Sequence, residues 1–398
     1  MARRRSSPRL GRPDTMRIVN RTVVMDTIRE QGAVSRAGIA RLTSISAPTV
    51  SAIVADLVRE GLVRELEQER SNLGRPGRLL AFNENAWYVG CDLSLRGTVQ
   101  LGLVNMRDHI VEVDAHDYEP TSTHPNDVVE VIASYIERLS NRTEIRVRGV
   151  GVGSPGLTDV EHGVVRWAPA LGWKNVCLAE LLNARLDIPV VVDNDVNLAL
   201  IGEVNQGVAA HARDAVFVAF ADGIGGALLI NGQLYRGHGG AAGEVGYVVT
   251  DTLLHGQGAR PLGLLEQRFF DLLSSDCQAR GIKTAGMEHE MSVLVNALRN
   301  DDAELELHPP TRESMIATLG AALASVTALL DPEVIVLGGW IRLLGDDLLA
   351  QLASGPGILG AGRPALRFSE LGGEAVIAGG AVSVRHRITG AMHMVAAN

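Results

Sequence analysis

Apolar residues recur at helical spacing in three short segments near the start of the chain. The first, over residues 15–31, favours an amphipathic helix. Ser35 is placed to cap a second short helix, and Ser46, with Pro48 in the first turn, opens a third that ends at Gly61. Two strand-like stretches, LVREL and RLLAF, then flank a loop rich in Arg, Gly and Asn. This order of elements predicts a winged helix-turn-helix.

The pattern changes after residue 85. Apolar runs rich in β-branched residues, such as YVGCDLSL, IPVVVDN and AVFVAFAD, alternate with helical stretches near residues 126–140 and 314–330. This alternation is typical of an α/β architecture with mixed sheets. The runs also group into two halves, each of hairpin plus helix, near residues 87–200 and 215–390.

These patterns predict three parts of the chain. Residues 1–14 form a disordered basic arm, residues 15–84 the winged helix-turn-helix, and residues 85–398 an effector domain. Within the effector domain we expect two lobes, one of about residues 85–200 plus the C-terminal helix and the other of residues 201–385.

Charge separates the predicted head from the rest of the chain. The net charge is −9, yet residues 1–80 carry 15 Arg and no Lys against 8 Asp plus Glu, a balance of +7 that leaves −16 for the remainder. Only the head is therefore suited to a polyanion. The five arginines of residues 1–14 fit either a solvated tail without a role or an arm that contacts phosphates.

The third helix of the head is the predicted recognition helix. Its apolar stripe faces inward, which leaves its N-terminal end free for the major groove. The candidates there for contact with phosphates or base edges are Ser46, Ala47, Thr49 and Ser51. The wing carries Arg75 and Arg78 in GRPGR, where arginine can enter a narrow minor groove. A structural or protein-docking role for the same three helices is the alternative.

The spacing of the cysteines and the distribution of apolar residues exclude several classes of protein. Cys91, Cys177 and Cys277 are isolated, so the spacing indicates neither a disulfide framework nor a cysteine zinc site. No run of 18 apolar residues occurs, and the arginine-rich start lacks the apolar stretch of a signal peptide. The sequence therefore predicts a cytoplasmic protein without a membrane segment.

Six motifs follow the head in a fixed order. They are GVGSPG, LGW, VVDNDVN, ADGIGGALLINGQLYRG, GGAAGEVG and VIVLGG, and with the helix-turn-helix they resemble the ROK family of repressors, uncharacterised reading frames and sugar kinases. The resemblance covers about residues 15–398. It implies an actin-like, ribonuclease H-like sugar-kinase fold whose two α/β lobes close over a sugar.

A polar cluster at the end of the apolar run IPVVV is the first candidate ligand site. Side chains at the carboxyl end of a strand in an α/β sheet face the ligand crevice. The resemblance implies that Asp195 matches the general base of the sugar kinases and that Asn194 hydrogen-bonds the sugar. The alternative is an Asx turn that caps the following helix.

Two glutamates and two glycines complete the predicted ligand set. Glu244 in GGAAGEVG and Glu266 in GLLEQ match acceptors of sugar hydroxyls in the family, and Gly153 and Gly156 of GSPG match segments near the sugar. For Glu266 the alternative is a first-turn helix acid favoured by the helix dipole.

The chain departs from the family at both phosphate loops. The family's Asp-x-Gly-Gly-Thr is replaced by residues 92–98, DLSLRGT, with bulky Leu95 where backbone should approach phosphate. In the second loop Asp222 puts a carboxylate where a hydroxyl usually stands, and like charges repel at this range. We therefore expect ATP binding to be weak or absent.

The family's zinc ligands are also replaced. Tyr247, Gln257, Ala259 and Leu264 stand where the family has histidine and cysteines, so we expect no zinc and no other cofactor.

Together these features predict a non-catalytic sugar-kinase homologue that regulates transcription, a repressor of carbohydrate-related genes. The expected partners are a pseudo-palindromic double-stranded DNA operator, a sugar or sugar-phosphate effector, and further copies of the chain in a homodimer or homotetramer. One alternative is an active ATP-dependent sugar kinase, or a bifunctional kinase and regulator, which the retained Asp195 favours. A second is a DNA-binding regulator controlled by a protein partner.

Overall fold

The structure is a computed structural model that forms two compact units. The described residues are 13–66, 78–95, 97–118, 124–250, 264–283, 291–299, 305–354 and 363–389. Among them, the first unit holds the chain up to Ser154 with residues 159–193 and 380–389, and the second holds residues 155–158 and 194–379.

The first unit begins with the predicted winged helix-turn-helix. Its elements are α1 (Pro13–Gln31), β1 (Val34–Ser35), α2 (Arg36–Thr43), α3 (Ala47–Arg59), β2 (Val63–Leu66) and β3 (Leu79–Phe82). Both predicted caps are present: the Ser35 hydroxyl accepts from the Gly38 amide at 3.1 Å, and the Ser46 hydroxyl accepts from the Thr49 amide at 3.4 Å. The three strands pair in the order β1-β3-β2. Residues 1–12 of the predicted arm lie outside the described residues.

A five-stranded mixed sheet forms the rest of the first unit, in the order β11-β7-β4-β5-β6. Strand β4 pairs parallel with β7 and antiparallel with β5. A small sheet of three strands has the order β10-β9-β8. The elements in this part of the chain are β4 (Ala86–Asp92), β5 (Thr98–Asn105), β6 (Ile110–Asp117), α4 (Pro125–Ser140), β7 (Arg146–Ser154), β8 (Leu157–Asp159), β9 (Val164–Ala168), β10 (Trp173–Val176), α5 (Leu178–Arg185) and β11 (Val190–Asn194).

The second unit contains a sheet of the same design, ordered β14-β13-β12-β15-β16, in which β12 pairs antiparallel with β13 and parallel with β15. The two hairpin-plus-helix halves predicted from the sequence are therefore present. Its elements are α6 (Asp195–Gln206), β12 (Ala215–Phe220), β13 (Ile224–Ile230), β14 (Gln233–Tyr235), α7 (Leu265–Ala279), α8 (Met291–Ala297), α9 (Pro309–Leu330), β15 (Val334–Gly339), α10 (Leu348–Ser354), β16 (Ala365–Phe368) and the start of α11 (Ala375–Thr389).

Each unit has its own apolar core. In the first, α4 and α5 cover one face of the sheet, while α11 packs so closely that a Cβ on Gly151 would lie 2.0 Å from the Gly380 carbonyl oxygen. In the second, α7 and α9 supply much of the core. Within the described chain, α9 alone is long and apolar enough to cross a membrane by length and composition. Its residues Met315, Leu319 and Leu323 are buried in the core, and core helices meet the same criterion.

Candidate functional site

The predicted polar cluster lies where β11 ends and α6 begins. Asn194 is the N-cap of α6, and its Oδ1 accepts from the Asn197 amide at 3.0 Å. Its Nδ2 donates to the Gly156 carbonyl at 3.0 Å and to Asp195 Oδ1 at 2.8 Å. The capping role that the sequence left as an alternative is thus observed, and the same amide fixes the orientation of Asp195. Asp195 itself is partly buried in the first turn of α6, where the helix dipole favours a carboxylate.

The two predicted glycines fall in different units. Gly156 belongs to the second unit, where its carbonyl holds Asn194. Gly153 belongs to β7 of the first unit, where it is the register partner of Asp92 and its carbonyl accepts from the Leu93 amide at 2.9 Å.

Glu244 and Glu266 lie close enough in the second unit for their charges to interact. Desolvation of the Glu244 carboxyl, with a smaller contribution from the charge of Glu266, raises the pKa of Glu244 above its ordinary value. Glu266 Oε2 accepts from the Ile224 amide at 2.9 Å, so this carboxylate also holds the glycine-rich loop that precedes β13. Paired carboxylates of this kind accept hydrogen bonds from the hydroxyls of a polyol.

Two side chains that the sequence analysis missed support that loop. The Ser292 hydroxyl donates to the Asp222 carboxylate, and Trp340 Nε1 donates to the Ala221 carbonyl at 2.9 Å. Asp222 is therefore engaged by the start of α8. Trp340 directly follows the glycine pair of VIVLGG, a position that could have been noticed, whereas nothing in the local sequence around Ser292 indicates its partner.

Asp92 is a buried carboxyl at the end of β4. Its side chain is 3% exposed, and its Oδ1 accepts from the Ser94 amide at 2.7 Å. Burial raises the pKa of Asp92 to about 6, because the loss of hydration of the carboxylate outweighs the hydrogen bonds that Ser94 donates to it. Leu95, which follows in the first phosphate loop, is exposed to solvent.

The raised pKa of Asp92 predicts a pH-dependent stability. In the unfolded chain Asp titrates near ~3.9, so the folded state holds the proton more tightly, and the free energy of unfolding should fall as pH rises from about 4 to about 6. Asp92→Asn keeps the acceptor for Ser94 but cannot ionise. We expect it to raise the free energy of unfolding by about 2 kcal/mol at neutral pH and to change little near pH ~4.

Urea unfolding at both pH values measures this effect. Asp187→Asn, at an exposed site in the same unit, is the matched control and should leave the difference between the two pH values unchanged. Equal behaviour of the two variants would contradict the assignment to Asp92.

Two of the four replaced zinc positions can be described. Tyr247 is exposed, and Leu264 precedes α7 and bridges to Val249. Gln257 and Ala259 lie outside the described residues. Across the part of the chain that the structure describes, no group of three or more His, Cys, Asp or Glu side chains is arranged to hold a metal ion.

The N-terminal end of α3 faces solvent. Ser46, Ala47 and Ser51 are exposed, and the hydroxyls of Ser46 and Thr49 lie 2.7 Å apart. Arg78 is exposed but forms an ion pair with Glu65 at 2.5 Å, so it is tied to the base of the wing. Arg75, in the predicted wing loop, lies outside the described residues.

A winged head, two α/β units of matching strand order and an acid at a strand's carboxyl end define a protein built on the actin-like sugar-kinase fold with an added helix-turn-helix. The model of the ROK family matches residues 96–354, and the chain belongs to this family. The predictions of family and fold class are confirmed.

Three similar proteins show the range of the family. The xylose repressor of Caldicellulosiruptor bescii is 24% identical over 356 residues, which are 86% of this chain and 88% of that protein. The crystal structure of a ROK family transcriptional regulator, a homolog of the E. coli MLC protein, has a TM-score of 0.76 at 22% identity and covers 95% of this chain and 98% of its own. A ROK family glucokinase from Streptomyces griseus, solved with glucose and AMPPNP, has a TM-score of 0.59 at 26% identity and covers 75% of this chain and 99% of its own.

Proposed function

We propose that this protein is a DNA-binding transcriptional regulator, a repressor of carbohydrate-related genes that responds to a sugar or sugar derivative. One observation carries the proposal: a winged helix-turn-helix with an exposed recognition helix precedes a sugar-kinase-like fold on the same chain. The similarity to a xylose repressor over 86% of the chain supports it, because that match extends beyond the effector domain.

The effector site is formed by Asp195, Glu244 and Glu266, with Asn194 as the group that positions Asp195. Carboxylates accept from sugar hydroxyls, and a site that requires those hydrogen bonds discriminates strongly against ligands that lack them. Gly156, in the same unit, is the backbone element proposed to line it.

Phosphoryl transfer is absent in this proposal, and neither ATP nor zinc is a cofactor. Three features support it: the first phosphate loop has Leu95 in place of a small residue, Asp222 adds a carboxylate that Ser292 holds in place, and the zinc ligands are replaced. The second candidate is an active sugar kinase, favoured by the retained Asp195 and by the similarity to a glucokinase.

The DNA partner is a pseudo-palindromic operator, bound by a homodimer or homotetramer. Helix-turn-helix proteins usually bind as dimers to two half-sites about one helical turn, or a multiple of it, apart, which requires paired heads.

Thermal-shift measurements with pentoses, hexoses and their phosphates, including D-xylose and D-glucose, test the effector site. A sugar at 100 times its Kd should add about 2.7 kcal/mol of stability. Asp195→Asn should weaken that sugar by about 10- to 100-fold, because a hydrogen bond to a charged group contributes roughly 1.5–3 kcal/mol. Asp331→Asn is the control, at an exposed left-handed position that asparagine tolerates.

A coupled ATP-consumption assay over the same panel separates the alternatives. We expect no turnover; robust turnover that Asp195→Asn abolishes would establish the kinase instead. If DNA binds but no sugar stabilises the protein, control by a protein partner becomes the better account.

A further inference from the structure

With one exception, the arginines of the described part of the head form ion pairs with carboxylates. Residues 13–66 and 78–84 contain eight arginines and no lysine. Seven of the eight pair with Asp or Glu; Arg59, for example, lies 2.5 Å from Asp56, and Arg36 lies 2.8 Å from Glu65. Much of the positive charge of this part of the head is therefore balanced by its own acidic side chains.

Arg41 is the exception. It is exposed in the last turn of α2, and it forms no ion pair or side-chain hydrogen bond with any residue that the structure describes. The sequence contains no acidic residue between Glu30 and Asp56, so neither α2, nor the turn that follows it, nor the first half of α3 supplies a carboxylate to Arg41. Its guanidinium is therefore available to an anion from solution.

The turn from α2 to α3 presents small side chains next to Arg41. Ser44 ends α2 in a left-handed conformation with a φ of 59°, and Ser46 and Ala47 open α3. All three residues are exposed. Side chains this short allow the backbone of the turn to approach a large partner closely, and long side chains are absent from these three positions. The free cation thus lies beside the end of α3 that is proposed to enter the major groove.

We propose that Arg41 is a phosphate anchor, by which we mean that its guanidinium binds the DNA backbone beside the major groove that α3 enters. The inference rests on the proposed function, since it requires a duplex on α3. In helix-turn-helix proteins the helix before the recognition helix crosses the DNA backbone. A guanidinium can donate two parallel hydrogen bonds to one phosphate. Because every sequence has the same phosphates, Arg41 supplies affinity and orientation and does not select bases.

A purely structural role for Arg41 makes a different prediction. A cation in the last turn of a helix interacts favourably with the helix dipole, so Arg41 also stabilises α2. Loss of that interaction lowers the stability of the head but leaves the number of phosphates it neutralises unchanged. The salt dependence of DNA binding therefore separates the anchor from a structural residue.

Fluorescence anisotropy of the full-length protein, measured at several salt concentrations, tests the anchor. The probes are a duplex of mixed sequence and a duplex selected from a random library. Arg41→Gln should weaken both by about tenfold and should make the slope of log K against log salt shallower by about 0.9. Arg41→Lys keeps the charge and should keep the wild-type slope, although it cannot bind a phosphate through two parallel hydrogen bonds.

Arg59→Gln is the matched control. It removes the same charge from an exposed position near the other end of α3, and Asp56 keeps Arg17 as a partner at 2.7 Å. We expect this variant to keep the wild-type slope. Glutamine is a good helix former, so both glutamine variants should remain folded, which their thermal unfolding midpoints check.

The outcomes distinguish failure of the anchor from failure of the function. If the wild type binds both duplexes and Arg41→Gln keeps the wild-type slope, the anchor is overturned and the proposed function is left intact. Equal changes in Arg41→Gln and Arg59→Gln also overturn it, because they would show a response to the net charge of the head and not a contact at the turn. If the wild type binds neither duplex, the proposed function fails and the anchor fails with it.

Discussion

Replacing Gly379 by alanine is expected to lower the thermal unfolding midpoint by about 6–12 °C, a loss of roughly 3 kcal/mol from overpacking. The added Cβ would lie 1.8 Å from the Leu198 carbonyl oxygen and 3.0 Å from the Gly202 amide nitrogen. Both are backbone atoms of α6, which cannot rotate away as the end of a side chain can. The two helices must therefore separate, and their shared contact is lost.

Gly320→Ala is the matched control, because it places the same methyl group in another helix. The nearest atom to its Cβ would be Leu352 Cδ2 at 3.9 Å, an ordinary contact distance. Alanine is the better helix former by about 0.8–1 kcal/mol, so this variant should unfold at a slightly higher temperature. Differential scanning calorimetry of both proteins measures the contrast. A Gly379→Ala protein as stable as Gly320→Ala would show that α6 and α11 are not in backbone contact.

Local sequence patterns were sufficient to predict the head. Ser35 and Ser46 each carry the cap signal within three residues of the amide they bind, so no distant information was needed. The helical periodicity predicted burial less accurately for residues at the margins of each apolar stripe. Val23 and Val58 fit the apolar stripes of α1 and α3, yet both are exposed, because the stripe's width depends on what packs against it.

The sequence likewise predicts some contacts of the effector part of the chain and misses others. Asn194 and Asp195 could be located because a strand's carboxyl end and a helix start coincide in one motif. The ion pair of Asp108 and Arg385 could not, since the two residues are far apart in sequence and neither lies in a motif. A charged side chain in an apolar stretch of helix, such as Arg385 in AVSVRHR, is the one local sign that a buried partner exists.

The head contacts the rest of the first unit at two places. Arg148 Nη2 donates to the Gly61 carbonyl, just after α3, at 3.4 Å. The head is thus held both at α1, where Arg29 Nη1 lies 3.7 Å from Asp108 Oδ2, and just after α3. A change in either contact alters the position of α3 relative to the rest of the first unit, although the sequence of α3 stays the same.

Ser51→Glu is expected to weaken operator binding by about 100-fold, or roughly 3 kcal/mol. Ser51 is exposed near the N-terminal end of α3, among the small side chains of Ala47 and Ala52, which allow the helix to approach DNA closely. A carboxylate there meets the phosphates and the acceptor-rich edges of the major groove, and it replaces a hydroxyl that can donate. Glutamate is a good helix former, so the fold of the head should be retained.

Fluorescence anisotropy with an operator selected from random duplexes measures the effect. Ser325→Glu, the same substitution on the exposed face of α9, is the control and should bind like the wild type. The logarithm of the wild-type binding constant should also fall linearly with the logarithm of salt concentration, with a slope of about −0.9 for each phosphate contacted by the basic head. Binding by Ser51→Glu within threefold of the control would contradict the assignment of α3 as the recognition helix, because a carboxylate close to the DNA phosphates is repelled by their charge.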